Sequence, residues 1–230
     1  GAATPISLTT VTGPSSGTAN LTFDTTGAIT VSGAVGTNIG TITITNSGGT
    51  TFSSTVSAAT VAITSTTAGN AVTFADNLTL TSGMTVGAGS AAYNVAINGT
   101  TNTIAGTTTF ANTGTVTLGN GSDTINFTGG VVATAPSGVS LGGTINTNSA
   151  AVSLGGSSKT LTLVGTDTGI NTYADAGVGA TITISGPIQG SSVGSQSLTL
   201  VSKGGVITLS DVIGSVTKLG TLTLGDANQT

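Results

Sequence analysis

One short phrase recurs from one end of this chain to the other: two apolar residues separated by a single small polar residue, usually threonine, with glycine or asparagine close behind. It occurs as Leu21-Thr22-Phe23, Ile42-Thr43-Ile44, Leu78-Thr79-Leu80, Val116-Thr117-Leu118, Leu161-Thr162-Leu163, Ile182-Thr183-Ile184, Leu198-Thr199-Leu200 and Leu222-Thr223-Leu224. Alternation with a period of two describes a strand with one buried and one wet face. Its return along the whole length points to a repeat architecture rather than a compact enzyme fold.

The alphabet agrees with that reading. Of 230 residues, 51 are Thr, 37 Gly and 26 Ser, and Arg, Glu, His, Cys and Trp are all absent. β-branched side chains suit a pleated surface, and glycine supplies the positive φ angles of tight corners. Charged residues make up only 4%, yet the hydrophobic fraction of 37% is periodically placed, which separates the chain from disordered sequences. The texture is uniform, so residues 1–230 read as a single continuous unit.

Two internal matches set the repeat length. Leu21-Thr22-Phe23, Gly27-Ala28-Ile29-Thr30-Val31, Val35-Gly36 and Gly40-Thr41-Ile42-Thr43-Ile44 return as Leu198-Thr199-Leu200, Gly205-Val206-Ile207-Thr208-Leu209, Ile213-Gly214 and Gly220-Thr221-Leu222-Thr223-Leu224, at offsets of 177 to 180 residues. Inside the last section, Ile182-Thr183-Ile184, Ile188 and Leu198-Thr199-Leu200 correspond to Ile207-Thr208-Leu209, Ile213 and Leu222-Thr223-Leu224, at offsets of 24 or 25. A repeat of about 20 to 25 residues holding two or three short strands has the size of one solenoid coil. The expected fold is therefore all-β: a parallel β-helix (β-solenoid) of about ten rungs, with Ile42 and Ile44 facing in and Thr41, Thr43 and Thr45 facing out. A β-sandwich is the rival, but short strand spacing without long crossovers favours the solenoid.

Several functions find little support in the residues present. Three Lys against seven Asp give a net charge of −4, so a nucleic acid would meet no basic patch. No apolar run approaches the roughly 20 residues of a membrane helix, so no transmembrane segment is expected. With neither histidine nor cysteine, only Asp24, Asp76, Asp123, Asp167, Asp175, Asp211 and Asp226 could act in catalysis. They are scattered and most lie beside Gly, Asn or Thr, where aspartate caps turns, so no catalytic residue and no enzyme activity is expected. Polysaccharide lyases and hydrolases share the β-helix architecture, but their paired aspartates with His, Arg or Lys are not present here.

A metal and two ligand surfaces remain to be weighed. Leu118-Gly119-Asn120-Gly121-Ser122-Asp123-Thr124-Ile125-Asn126 is similar to the calcium-binding β-roll nonapeptide at every defining position except the first glycine, which makes Asp123 the one calcium candidate. It is present once, and a turn is the simpler reading, so no cofactor is expected. Thr-x-Thr pairs at Thr41/Thr43, Thr79/Thr81, Thr115/Thr117, Thr160/Thr162, Thr181/Thr183 and Thr221/Thr223 resemble those of ice-binding β-helices. Their spacings of 38, 36, 45, 21 and 40 residues are too irregular for one ranked face. The aromatics are only Tyr93, Tyr173, Phe23, Phe52, Phe74, Phe110 and Phe127, and the phenylalanines fall at inward positions. No clustered platform for a sugar is visible.

Across the chain, the Thr/Gly/Ser/Asn/Val alphabet and phrases such as Gly27-Ala28-Ile29-Thr30-Val31-Ser32-Gly33-Ala34-Val35-Gly36 resemble the repeats of giant bacterial surface proteins of the filamentous haemagglutinin and autotransporter-adhesin type. The resemblance implies a right-handed parallel β-helix, secreted or displayed at the cell surface, that serves as a stalk, adhesive fibre or matrix component. Neither end of the sequence carries a cap signature. The expectation is a segment of a longer protein, or a subunit that self-associates end to end through its terminal rungs and meets a host or matrix surface.

Overall fold

The computed structural model of the chain describes residues 3–15, 18–36, 38–175 and 177–225. Every regular element in them is a strand, 24 in all, and every pairing between named strands is parallel, forming one continuous ladder. The chain winds as a β-solenoid of about nine turns. On a first face, Ile6 pairs with Ile29, Ile29 with Thr50, Thr50 with Val72, Val72 with Val95 and Val95 with Val116. The file continues through Val139, Leu161 and Ile188 to an isolated bridge at Ile213. Successive steps are 21 to 27 residues, the period expected from the repeats.

Two further faces complete each turn. The second holds Leu78–Val86 in its first half, Thr101–Ile104, the latter part of Thr115–Phe127, Asp167–Asn171, Ser197–Val201 and Thr221–Gly225. The third holds Ala19–Asp24, Ile39–Asn46, Thr108–Phe110, Val131–Ala133, Val152–Leu154, Ile182–Ile184 and Ile207–Leu209. The 24- or 25-residue match in the last section is the pairing register itself: Ile182 lies on Ile207, Ile188 on Ile213 and Leu198 on Leu222. The longer match crosses faces. Leu21-Thr22-Phe23 belongs to the third face, whereas its counterpart Leu198-Thr199-Leu200 belongs to the second.

The apolar residues of the recurring phrase point into the coil. Ile42, Ile44, Leu78, Leu80, Val116, Leu118, Leu161, Leu163, Ile182, Ile184, Leu198 and Leu200 are all buried, and the intervening threonines are half-buried or exposed. All five phenylalanines are inside, and Phe52 stacks on Phe74 one turn away with centroids 5.0 Å apart and planes 3° from parallel. Parallel in-register pairing sets like upon like at about 4.8 Å, so each turn buries its apolar stripe only against its neighbours.

Polar side chains inside the coil are spent on the backbone. Asn102 replaces an aliphatic residue in the second face's inner file, where it accepts from the Leu78 amide at 3.0 Å and donates to the Gly99 carbonyl at 2.6 Å. Asn20, Asn77 and Asn94 use Oδ1 to accept the amide of a threonine one turn on: Thr41, Thr101 and Thr115, at 2.9, 2.9 and 2.8 Å. Tyr93 extends the inward alternation of Val95 and Ile97, and its hydroxyl donates to the Gly87 carbonyl at 2.6 Å. Burial pushes this phenol up from its usual 10.0 to about 12.

Phe74→Ala removes the stack and leaves a cavity, so urea denaturation should show a loss of about 3–5 kcal/mol. Tyr93 carries its own pH signature. With the folded pKa raised, stability is full below pH 10 and falls as the pH rises from 10 towards about 12. Comparing chemical denaturation of the native chain and Tyr93→Phe across that window isolates the phenol, and the variant should show a shallower decline.

Candidate functional site

The carboxylates are dispersed over separate corners. Asp76 accepts from the Asn77 amide, Asp123 from the Asn120 amide and Asp211 from the Val212 amide, each at 2.7 Å. Asp175 accepts from the Ser149 hydroxyl at 3.0 Å and from the Gly177 amide at 3.2 Å. Asp24 ends a strand against Asn46, and Asp167 opens one against Ser197. Asp226 lies outside the described residues. Among the described residues no three metal-capable side chains gather at one place.

The β-roll-like segment forms a tight corner between the first and second faces. Gly119 has φ +76°, and a Cβ there would come within 1.8 Å of the Gly142 carbonyl oxygen. Asp123 is buried and closes the loop through its bond to the Asn120 amide, while the residue stacked on it one turn later is Gly143. A calcium ion needs six to eight oxygens. One carboxylate turned onto its own loop, with glycine in register above it, does not fit that requirement.

The named Thr-x-Thr pairs are divided among the three faces. Thr115/Thr117 and Thr162 stand on the first, Thr79 and Thr221/Thr223 on the second, and Thr41/Thr43 and Thr183 on the third. They form no ranked pair array on any one face.

Two lysine contacts had no signature in the sequence. Lys159 donates to the carbonyls of Thr134 and Ala135 at 3.0 and 2.7 Å, bracing a corner one turn below. Lys203, 30 residues from Tyr173, donates to its hydroxyl and sits 3.6 Å from the ring centroid. Both pairs span turns, so no local spacing could reveal them.

The end turns differ most from the rest. Leu200 is fully buried, but its partner one turn on, Leu224, is 56% exposed. Ile182 and Ile184 are fully buried, whereas Ile207 and Leu209, stacked upon them, are half-buried. At the opposite end Ile6, Leu8, Val11 and Leu21 are likewise half-buried. In the last turn an open groove of about 390 Å3 is lined by Ile213, Lys218, Leu219 and Leu222. The inner aliphatic file thus faces outward at both end turns.

Comparisons with family models, with curated proteins and with solved structures find no match.

Calcium at millimolar concentration should leave the melting temperature unchanged. Asp123→Ala, by contrast, should cost about 1–3 kcal/mol through the lost bond to the Asn120 amide. Gly119→Ala should cost more than about 2 kcal/mol, because left-handed strain adds to a backbone overlap. Thermal and urea melts check all three.

Proposed function

We propose that this chain is a non-catalytic length of extracellular rod, a stalk or adhesive fibre of the filamentous haemagglutinin or autotransporter-adhesin kind. The observation carrying this reading is the exposure of the inner file at both end turns of an otherwise continuous ladder. Leu224, Ile213 and Leu222 present aliphatic side chains and unspent strand edges at one end, and Ile6, Leu8 and Val11 do so at the other. Open strand edges template further pairing, and here the template is parallel and repeats the cross-section of the coil.

The partner at these ends is a second copy, its first turn seated on the last turn of the one before. Self-association then lengthens the rod without a new fold. Stacked turns resist extension because every backbone bond runs along the axis, and a surface of hydroxyls with few charges responds weakly to salt. Both properties suit a structure displayed outside a cell. The described aspartates support a role without catalysis, since Asp76, Asp123, Asp175 and Asp211 are each occupied by their own corners.

Electron microscopy of the purified chain should show rods that lengthen with concentration. The double variant Leu222→Lys and Leu224→Lys places two charges on the open end and should shift light scattering to the single-chain mass at the same concentration. Single chains at every concentration for the native protein, or unchanged assembly by the variant, would overturn the stacking reading.

A further inference from the structure

The outer side of the second face carries one side chain per turn in a straight file: Thr101, Thr124, Thr144, Gly169, Thr199 and Thr223. Five are threonine and one is glycine. Where the side chain is missing, an open notch of about 220 Å3 lies between Thr144 and Thr199, with Gly169 as its floor.

The groups around the notch share one chemistry. Asp167 and Asn171 stand two residues to either side of Gly169 and leave the strand on the same side as the notch. The Asp167 carboxylate is exposed and accepts no hydrogen bond from a described residue. Asn171 accepts from the Tyr173 amide through Oδ1 at 2.9 Å, which fixes its carboxamide and keeps Nδ2 as a donor. The hydroxyls of Thr144 and Thr199 add two groups that both donate and accept. Two residues beyond Asn171, about 7 Å along the strand, stands Tyr173, the only aromatic residue that is not buried. The Lys203 ammonium over its ring holds it in place.

We propose that this notch binds a short stretch of neutral polysaccharide lying along the strand, with one sugar ring seated over Gly169. Vicinal hydroxyls of a sugar donate to Asp167 and accept from Asn171, and the Thr144 and Thr199 hydroxyls complete the set. The Val201 methyls and the exposed part of Tyr173 meet the apolar face of the sugar. A peptide strand has no backbone to pair with here, because 167–171 is already paired on both sides. A divalent cation finds a single carboxylate where it needs several oxygens. This site corrects the expectation that no sugar platform exists: its parts are brought together by the register and not by clustering in the sequence.

The test uses the soluble chain in EDTA, so it does not rest on the rod reading and can fail while that reading stands. Titration calorimetry with cellotetraose, mannotetraose and chitotetraose should detect binding of at least one by the native protein. Gly169→Thr completes the threonine file: its Cβ would meet Thr144 Oγ1 at 3.2 Å and Cγ2 at 3.3 Å, a contact that small side-chain shifts relieve. This variant should melt close to the native temperature and bind at least tenfold more weakly. Asp167→Ala, at an exposed position, should also weaken binding about tenfold without disturbing the fold. No binding of any tetrasaccharide by the native chain, or native affinity in both variants, overturns the proposal.

Discussion

Backbone hydrogen bonding between residues one turn apart is the interaction on which the rest of this molecule depends. Because the pairing is parallel and in register, it runs along the axis and sets each residue on its equivalent in the next turn. That constraint turns a modest sequence requirement, an apolar residue at alternate positions, into a continuous core. It also makes one turn worth little alone, since both its hydrogen bonds and its buried surface are shared with neighbours. Corners carry the remaining demands. Gly119 lets two turns approach at a positive φ, and Asn20, Asn77 and Asn94 supply side-chain oxygens where the ladder would otherwise leave an amide unpaired.

The fold was largely legible because it rests on local periodicity. The phrase Φ-Thr-Φ identifies inward and outward positions, and its 24- or 25-residue return reproduces the register Ile182 on Ile207 and Leu198 on Leu222. Face assignment was not legible. All three faces ask for the same alternation, so Leu21-Thr22-Phe23 and Leu198-Thr199-Leu200 match in sequence while lying on different sides of the coil. Inward polar positions were equally hidden: Asn102 reads as a corner residue, and only the register shows that it replaces an aliphatic side chain and bonds Leu78 and Gly99.

Sites are harder to read than strands in such a chain because they are assembled across turns. Asp167, Gly169 and Asn171 are unremarkable among many similar residues until Thr144 and Thr199 are set beside them. The same holds for Lys203 and Tyr173, whose contact joins residues in successive turns. Conversely, the one segment that does resemble a local motif, around Asp123, closes on its own backbone. In a fold built by stacking, chemistry follows the file of equivalent positions more than the neighbourhood in sequence.

The change of face between matching sections has a consequence for how such a chain can lengthen. If duplicated segments had to preserve their face, growth could proceed only in whole turns. Here a segment resembling 21–44 is accommodated at 198–224 after rotation to the adjacent side. The unit of inheritance is thus the single strand with its corner, and gene segments of a third of a turn are interchangeable parts.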